Sequence, residues 1–206
     1  MDSNKKAIVI QGICALLVGL GTGVLTVIGQ KYLPGSLNSL ANSGAVWLVP
    51  AFFVALAAKT KVSAILLCMG TLIVCVISYY WMEAIMNRHS FLPAGYYFYV
   101  WLACAVVFGV IFGAGAFLRS QMSPNHHWGA SLLPAVFLSE GLSELLHLPD
   151  YLHMLPAVIG RILIGLALYS LIYKGAFLQR KPLISFCALS ALGLAGYEVL
   201  FRLTSA

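Results

Sequence analysis

The amino-acid sequence predicts an all-α protein, a polytopic bundle of seven transmembrane helices that forms a single transmembrane domain over residues 1–206. Hydrophobic residues make up 61% of the chain and charged residues only 9%, and the mean hydropathy is +0.94. Soluble domains carry about 25% charged residues, which keep the surface hydrated. Twelve basic and six acidic side chains are too few to do this for 206 residues. The composition therefore excludes a soluble enzyme and a disordered chain and predicts contact with a lipid bilayer.

Seven segments come close to the roughly 20 apolar residues that a helix needs to cross a bilayer. The second segment is short and contains Pro50, so the number of spans falls to six if this segment does not cross. Short turn-like connections join the segments, and no linker divides the chain. The predicted spans are Ala7–Tyr32, Gly44–Ala58, Ser63–Met86, Gly95–Leu118, Trp128–Leu146, Tyr151–Tyr173 and Pro182–Leu203.

The positions of lysine and arginine predict a cytoplasmic N-terminus, because positive residues concentrate in cytoplasmic loops. Three basic residues then lie on the outer side, namely Lys31, Arg88 and Arg202. Eight lie on the cytoplasmic side, namely Lys5, Lys6, Lys59, Lys61, Arg119, Lys174, Arg180 and Lys181. These residues form no basic patch, so the net charge of +6 does not indicate a nucleic-acid partner.

Ionisable side chains inside spans are the first candidates for a functional site, because placing them in a membrane is costly. Four of the six acids and one arginine fall inside the predicted spans. Helix rise places all five at similar depth in the outer half of the bundle. They are Glu83, Glu140, Glu144, Glu198 and Arg161.

The pairing of these charges leaves two interpretations open. Glu140 and Glu144 share one helix face, and an ion pair between Glu140 and Arg161 would fix how two helices pack. This pair leaves three acids without a cation from within the spans. The excess of acid indicates protonated carboxyl groups, access for water or a cationic ligand.

The tyrosines and tryptophans favour the cationic ligand. By the predicted topology, eleven of the fourteen lie toward the outer side, whereas an aromatic belt would decorate both interfaces. Aromatic rings beside carboxylates suit an organic cation through cation–π attraction. We expect Tyr80 and Tyr97 to form part of an aromatic wall of this site.

Other chemistries find less support in the sequence. Glu144, His147, Asp150 and His153 recur every third residue, but Pro149 interrupts any common helix face, so we predict no metal site. The five cysteines lie in apolar segments without metal-ligand spacing, which predicts apolar packing. The sequence contains no nucleotide-binding loop and no serine-hydrolase elbow, and we predict neither an enzyme nor a cofactor.

Two ladders of small residues would allow close approach of helices. Packing within the chain is the first interpretation, and docking of a partner subunit is the alternative. The ladders are Ala15, Gly19 and Gly23 in the first span, and Ala105, Gly109 and Gly113 in the fourth.

Four short runs resemble a family of small bacterial multi-pass proteins known as domain of unknown function 6518. The runs are Leu40–Trp47, Tyr79-Tyr80, Gly109–Gly115 before Arg119, and Phe137–Gly141. The resemblance covers most of the chain and implies a multi-pass protein of the bacterial inner membrane, without an assigned activity. It adds Asn42 and Trp47 to Tyr80 and Glu140 as candidate site positions.

The plan of the chain also resembles the substrate-capture (S) components of energy-coupling-factor vitamin transporters. Those proteins have six spans, bind a vitamin near the outer face and dock through small residues of their first helix. A seventh span and an outer C-terminus depart from that plan.

The sequence thus predicts a membrane protein that binds or transports a small, cationic organic solute in the outer half of the bundle. The alternative is a non-transporting assembly or regulatory protein, in which the buried charges serve helix packing alone.

Overall fold

The computed structural model describes residues 3–87, 95–121, 124–148 and 152–204, and within these ranges the regular structure is helical. Arg88, Asp150 and Tyr151, which the sequence analysis named, lie outside the described residues. The helices are α1 (Ser3–Tyr32), α2 (Leu37–Ala41), α3 (Gly44–Leu56), α4 (Lys61–Asn87), α5 (Gly95–Ser120), α6 (His126–Leu146), α7 (Leu155–Tyr173) and α8 (Arg180–Thr204). A short 3₁₀ turn, Leu152–Met154, precedes α7.

The prediction of a seven-span, all-α membrane bundle is confirmed. Seven helical segments of the described chain are long and apolar enough to cross a bilayer. The second is Leu37–Leu56, in which α2 and α3 follow one another with a break at Asn42-Ser43. This segment begins seven residues earlier than the sequence predicted, because α2 extends it beyond Gly44.

Contacts between glycines and neighbouring helices show how the spans are arranged. Gly19 and Gly23 of α1 lie against Thr71 and Ser78 of α4, so these two helices run parallel. A Cβ atom on Gly113 would lie 2.5 Å from the Cα atom of Ile65, so α5 and α4 could not approach this closely with any other residue there. The expectation that the ladders pack within the chain is confirmed. The four glycines of the ladders lie against α4, and Ala15 and Ala105 are buried.

Helix α6 occupies the centre of the second half of the bundle and is the most deeply buried span. It packs against α7, α8 and α5, and also touches α3. Ser139 of α6 lies against Gly193 of α8, and Gly141 lies against Ile162 of α7. Since α6 carries Glu140 and Glu144, this central position decides which helices can reach the two acids.

The five cysteines are free thiols, but their environments differ. Cys68 and Cys75 are buried and Cys104 is half-buried, in line with apolar packing. Cys14 and Cys187 are exposed on the surface of the bundle and do not face its interior. The prediction of buried packing is therefore wrong for these two, whose helices present that face outward.

We use the term site end for the end of the bundle at which α1, α4, α6 and α8 end and α3, α5 and α7 begin. The predicted asymmetry of the aromatic residues is visible there. Trp47, Tyr79, Tyr80 and Trp101 form a chain of ring contacts near this end, with neighbouring centroids 5.0–5.9 Å apart. Tyr169 and Tyr173 pack together at the opposite end.

Candidate functional site

The break between α2 and α3 places the first turn of α3 against Glu140. Ser43 is extended, with φ −77° and ψ 129°, and its side chain accepts a hydrogen bond from Val46 N in the manner of an N-cap. The Ser43 hydroxyl donates to Glu140 Oε2 at 2.5 Å. Gly44 N donates to Oε1 at 3.0 Å, and Ala45 N donates to Oε2 at 3.3 Å. The acid thus satisfies backbone donors that a helix start leaves unpaired.

Arg161 joins this carboxylate to a second one. It lies in the second turn of α7 and is 98% buried, since only 2% of its surface is exposed. Its Nε lies 3.6 Å from Glu140 Oε2, and its Nη1 donates to Glu144 Oε2 at 2.7 Å. Its Nη2 donates to the carbonyl oxygen of Ser39 at 2.8 Å, which ties α2 to α7. We call Glu140, Arg161 and Glu144 the carboxylate–arginine cluster.

The cluster contains the predicted pairing of Arg161 with Glu140 and adds Glu144 to it. The sequence analysis assigned Arg161 to Glu140 and left Glu144 without a cation, whereas the shortest contact of the guanidinium is with Glu144. The two acids also differ in environment. The side chain of Glu140 is 9% exposed and held by α3, while that of Glu144 is 32% exposed.

Glu198 forms a separate group with Ser143 of α6 and with His147, the residue that follows α6. Its Oε1 accepts a hydrogen bond from the Ser143 hydroxyl at 3.0 Å and lies 3.1 Å from His147 Nε2. The His147 ring stacks on Phe201, with centroids 3.7 Å apart and planes 11° from parallel. The spacing of four residues from Ser143 to His147 places both on the face of α6 that meets α8. The sequence analysis left Glu198 without a partner from within the spans, so this pairing was missed.

Two cavities meet at the carboxylate–arginine cluster. The first, which we call the aromatic pocket, has a volume of about 470 Å³. Glu140, Glu144, Ser143 and His147 line one side of it, and Trp101, Tyr197 and Phe201 line another. The second, the polar hollow, has a volume of about 400 Å³. Its wall consists of Gln30, Asn38, Ser39, Asn42, Arg161 and the same two acids.

The structure brings together some of the predicted site residues and separates others. Asn42 lines the polar hollow, and Trp47 lies in the aromatic core next to Trp101 and Tyr79. Glu83 accepts a hydrogen bond from Asn87 on α4 at 2.7 Å and is not among the described residues that line the aromatic pocket or the polar hollow. Three of the five predicted charges, Glu140, Glu144 and Arg161, therefore line the two cavities. Glu198 contacts Ser143 and His147 of the pocket wall, and Glu83 lies apart.

The aromatic wall is built from other rings than the predicted ones. Tyr80 packs edge-on against Tyr79 and Phe98. The Tyr97 hydroxyl donates to the carbonyl oxygen of Thr204, near the end of α8, at 3.3 Å. Trp101, Tyr197 and Phe201 take the place at the pocket that the sequence analysis gave to Tyr80 and Tyr97. The sequence offered one indication of this wall, the spacing of Tyr197, Glu198 and Phe201 along one helix.

The metal alternative finds no support in the described part of the chain. Within the described ranges, no group of three or more histidine, cysteine, aspartate or glutamate residues is arranged to hold a metal ion. Of the four spaced residues, Asp150 lies outside these ranges, and His147 is paired with Glu198.

Comparison with known proteins shows the family but no described relative. No curated protein and no solved structure matches the chain, so the likeness to vitamin-transporter S components has no support from these comparisons. One family model, described as a family of unknown function (DUF6518), matches residues 2–203. This match spans nearly the whole seven-helix bundle, including every residue of both cavities except Thr204. The chain therefore belongs to the DUF6518 family.

Proposed function

We propose that this membrane protein binds a small organic cation in the aromatic pocket, as the binding step of transport. One observation supports this above all. Two carboxylates, Glu140 and the partly exposed Glu144, line a pocket of about 470 Å³ together with the rings of Trp101, Tyr197 and Phe201. Pockets of this size are typical of small-molecule sites. Carboxylates beside aromatic faces attract an amine by charge and by cation–π contact.

The balance of charge at the site supports a cation over an anion. Glu140 and Glu144 line both cavities and share one guanidinium, that of Arg161. The neighbouring Glu198 is paired with His147. The contacts of Glu140 with α3 suit a packing role, so we assign the recognition of the ligand to Glu144. This division limits the alternative of a purely structural charge cluster to Glu140 and Arg161.

The proposed activity is noncovalent. The Ser143 hydroxyl donates its hydrogen bond to Glu198, and His147 Nε2 is directed to the same carboxylate. A serine nucleophile would instead donate to the histidine that serves as its base. This arrangement supports a binding site for a charged group and not a hydrolytic centre.

The binding proposal is tested by titration of small amines against purified protein. We expect Glu144→Gln to weaken the affinity for an aromatic amine such as phenethylamine about tenfold or more, because it removes one negative charge from the pocket wall. Glu198→Gln should weaken the affinity less, because Glu198 lies behind Ser143 and His147 and does not line the pocket. Isothermal titration in detergent measures this. Glu83→Gln is the matched control, since Glu83 is an acid of the same end of the bundle that does not line the pocket. Equal affinities in all four proteins would contradict the proposal.

We further propose that the site end faces the outside of a bacterial inner membrane, supported by the excess of lysine and arginine near the opposite end. A membrane-impermeant maleimide should label Asn38→Cys in intact cells, because Asn38 is exposed on α2 at the site end. Lys59→Cys, exposed at the opposite end, should be labelled only after the cells are opened. The reverse pattern would overturn the orientation.

A further inference from the structure

Several polar groups in the wall of the aromatic pocket already have partners within the chain. Both oxygens of Glu140 accept hydrogen bonds from the start of α3. The Ser143 hydroxyl and His147 Nε2 are both directed to Glu198. A ligand that used these groups would have to break the contacts that they make. The polar groups that remain open therefore decide which ligand the pocket can hold.

Glu144 keeps one of its two oxygens open. Its Oε2 accepts the hydrogen bond from Arg161 Nη1 at 2.7 Å. Its Oε1 has no hydrogen-bond partner among the described residues, and the side chain is 32% exposed. An ionised carboxylate only accepts hydrogen bonds, and each oxygen can take part. The open oxygen can thus accept a hydrogen bond from a ligand while Arg161 stays in place.

The hydroxyl of Tyr197 is the second open oxygen. Tyr197 belongs to α8 and lines the aromatic pocket. A Cβ atom on Gly44 would lie 3.3 Å from this hydroxyl and 3.9 Å from Glu140 Oε1, so the hydroxyl lies on the side of the pocket that holds the acids. Within the described part of the chain it forms no hydrogen bond. Buried tyrosine hydroxyls usually find a partner, and a ligand in the pocket would supply this one.

The aromatic rings suit the apolar body of a ligand better than its charge. Recognition of a quaternary ammonium relies on the faces of several rings around the cation. Here the His147 ring covers one face of Phe201, with centroids 3.7 Å apart. The Trp101 ring packs against Trp47, with centroids 5.9 Å apart. The charged group is better served by the two open oxygens, and these require N–H donors.

We propose that the charged group of the ligand is a primary or secondary ammonium that donates hydrogen bonds to Glu144 Oε1 and to the Tyr197 hydroxyl oxygen. This inference rests on the proposed function and specifies its ligand class. A quaternary ammonium carries the same charge but has no N–H to donate. Tyr197 is then a specificity-determining residue, and Trp101 and Phe201 contact the apolar body of the ligand.

A methylated series of phenethylamine tests this proposal by isothermal titration in detergent. The primary, N-methyl, N,N-dimethyl and N,N,N-trimethyl forms carry the same charge and lose one N–H donor with each methyl group. The first two forms can serve both oxygens and should bind within about twofold of each other. The N,N-dimethyl form loses one hydrogen bond and should bind about tenfold more weakly, and the trimethyl form should bind more weakly again. This comparison uses the parent protein alone.

Tyr197→Phe separates hydrogen bonding from size, because it keeps the ring and removes the hydroxyl. It should weaken binding of the primary and N-methyl forms about tenfold and leave the N,N-dimethyl form within about twofold, so that these three forms bind alike. Tyr80→Phe is the matched control, since Tyr80 is not among the described residues that line the pocket, and it should bind the series as the parent does. An even loss with each methyl group that persists in Tyr197→Phe would indicate exclusion by size and would refute the proposal.

Glu144→Gln distinguishes failure of this inference from failure of the proposed function. If the variant binds every member of the series as tightly as the parent does, the proposed function itself fails. If it weakens all members equally and the parent binds the trimethyl form as tightly as the primary amine, the cation site stands. In that case the hydrogen-bonding proposal alone is overturned.

Discussion

Replacement of Glu140 by alanine should lower the free energy of unfolding by about 3–5 kcal/mol, the range for removal of one partner from a buried ion pair. The change removes the acceptor of Ser43, Gly44 and Ala45 at the start of α3. These donors would then be buried without a partner, and unsatisfied buried groups are costly. It also leaves Arg161 with one carboxylate in place of two. Unfolding in mixed micelles, followed by circular dichroism, measures the loss.

Two variants sharpen this experiment. Glu140→Gln keeps one carbonyl acceptor and should lose less stability than Glu140→Ala. Glu83→Ala removes an acid of the same end of the bundle that lies outside the cluster, and it should change stability by less than about 1 kcal/mol. If the Glu140→Ala variant and the parent protein have the same free energy of unfolding, Glu140 does not hold α3 in place.

Replacement of Arg161 by methionine should have an effect of similar size. Methionine fills much of the volume but leaves Glu140 and Glu144 near one another without a cation, and it releases the Ser39 carbonyl of α2. Addition of Glu144→Gln should restore part of the stability, because Glu140 keeps its donors from α3. Arg161→Lys preserves the positive charge. A lysine ammonium lacks the planar guanidinium that donates to both Glu144 and Ser39.

The double variant provides the decisive comparison. In the same micelle assay, residues that interact show a coupling free energy of about 0.5–3 kcal/mol. We therefore expect Arg161→Met with Glu144→Gln to be more stable than Arg161→Met alone. A double variant that is less stable than either single variant, by the sum of both losses, would show that the pair does not interact.

The predicted charge layer illustrates what helical periodicity can reveal. Hydropathy gives the ends of each span, and the fixed rise of a helix converts residue number into depth. This was enough to place Arg161 level with Glu140, as the 3.6 Å contact confirms. Depth carries no information about direction around the helix axis in the bundle. For this reason Glu83, at an equally suitable depth, could not be separated from the acids that line the cavities.

The short second span illustrates the opposite case. Pro50 drew attention to this segment, but the feature that brings α3 to Glu140 is the break at Ser43, where a local N-cap starts α3. The segment crosses nonetheless, because α2 adds the length that α3 lacks. A serine before an apolar run was visible in the sequence. Its second partner, Glu140, lies 97 residues away, and no local pattern indicates such a contact.

By itself, the sequence determined the membrane class, the seven spans and the layer of acids near one end of the bundle, since hydropathy and helical rise are properties of neighbouring residues. Only the tertiary structure decided that Arg161 bridges two acids and that Glu198 pairs with His147. It also decided that Trp101, Tyr197 and Phe201 form the wall of the pocket. These features depend on how α5, α7 and α8 are rotated against α6, and side-chain packing over the whole bundle sets that rotation.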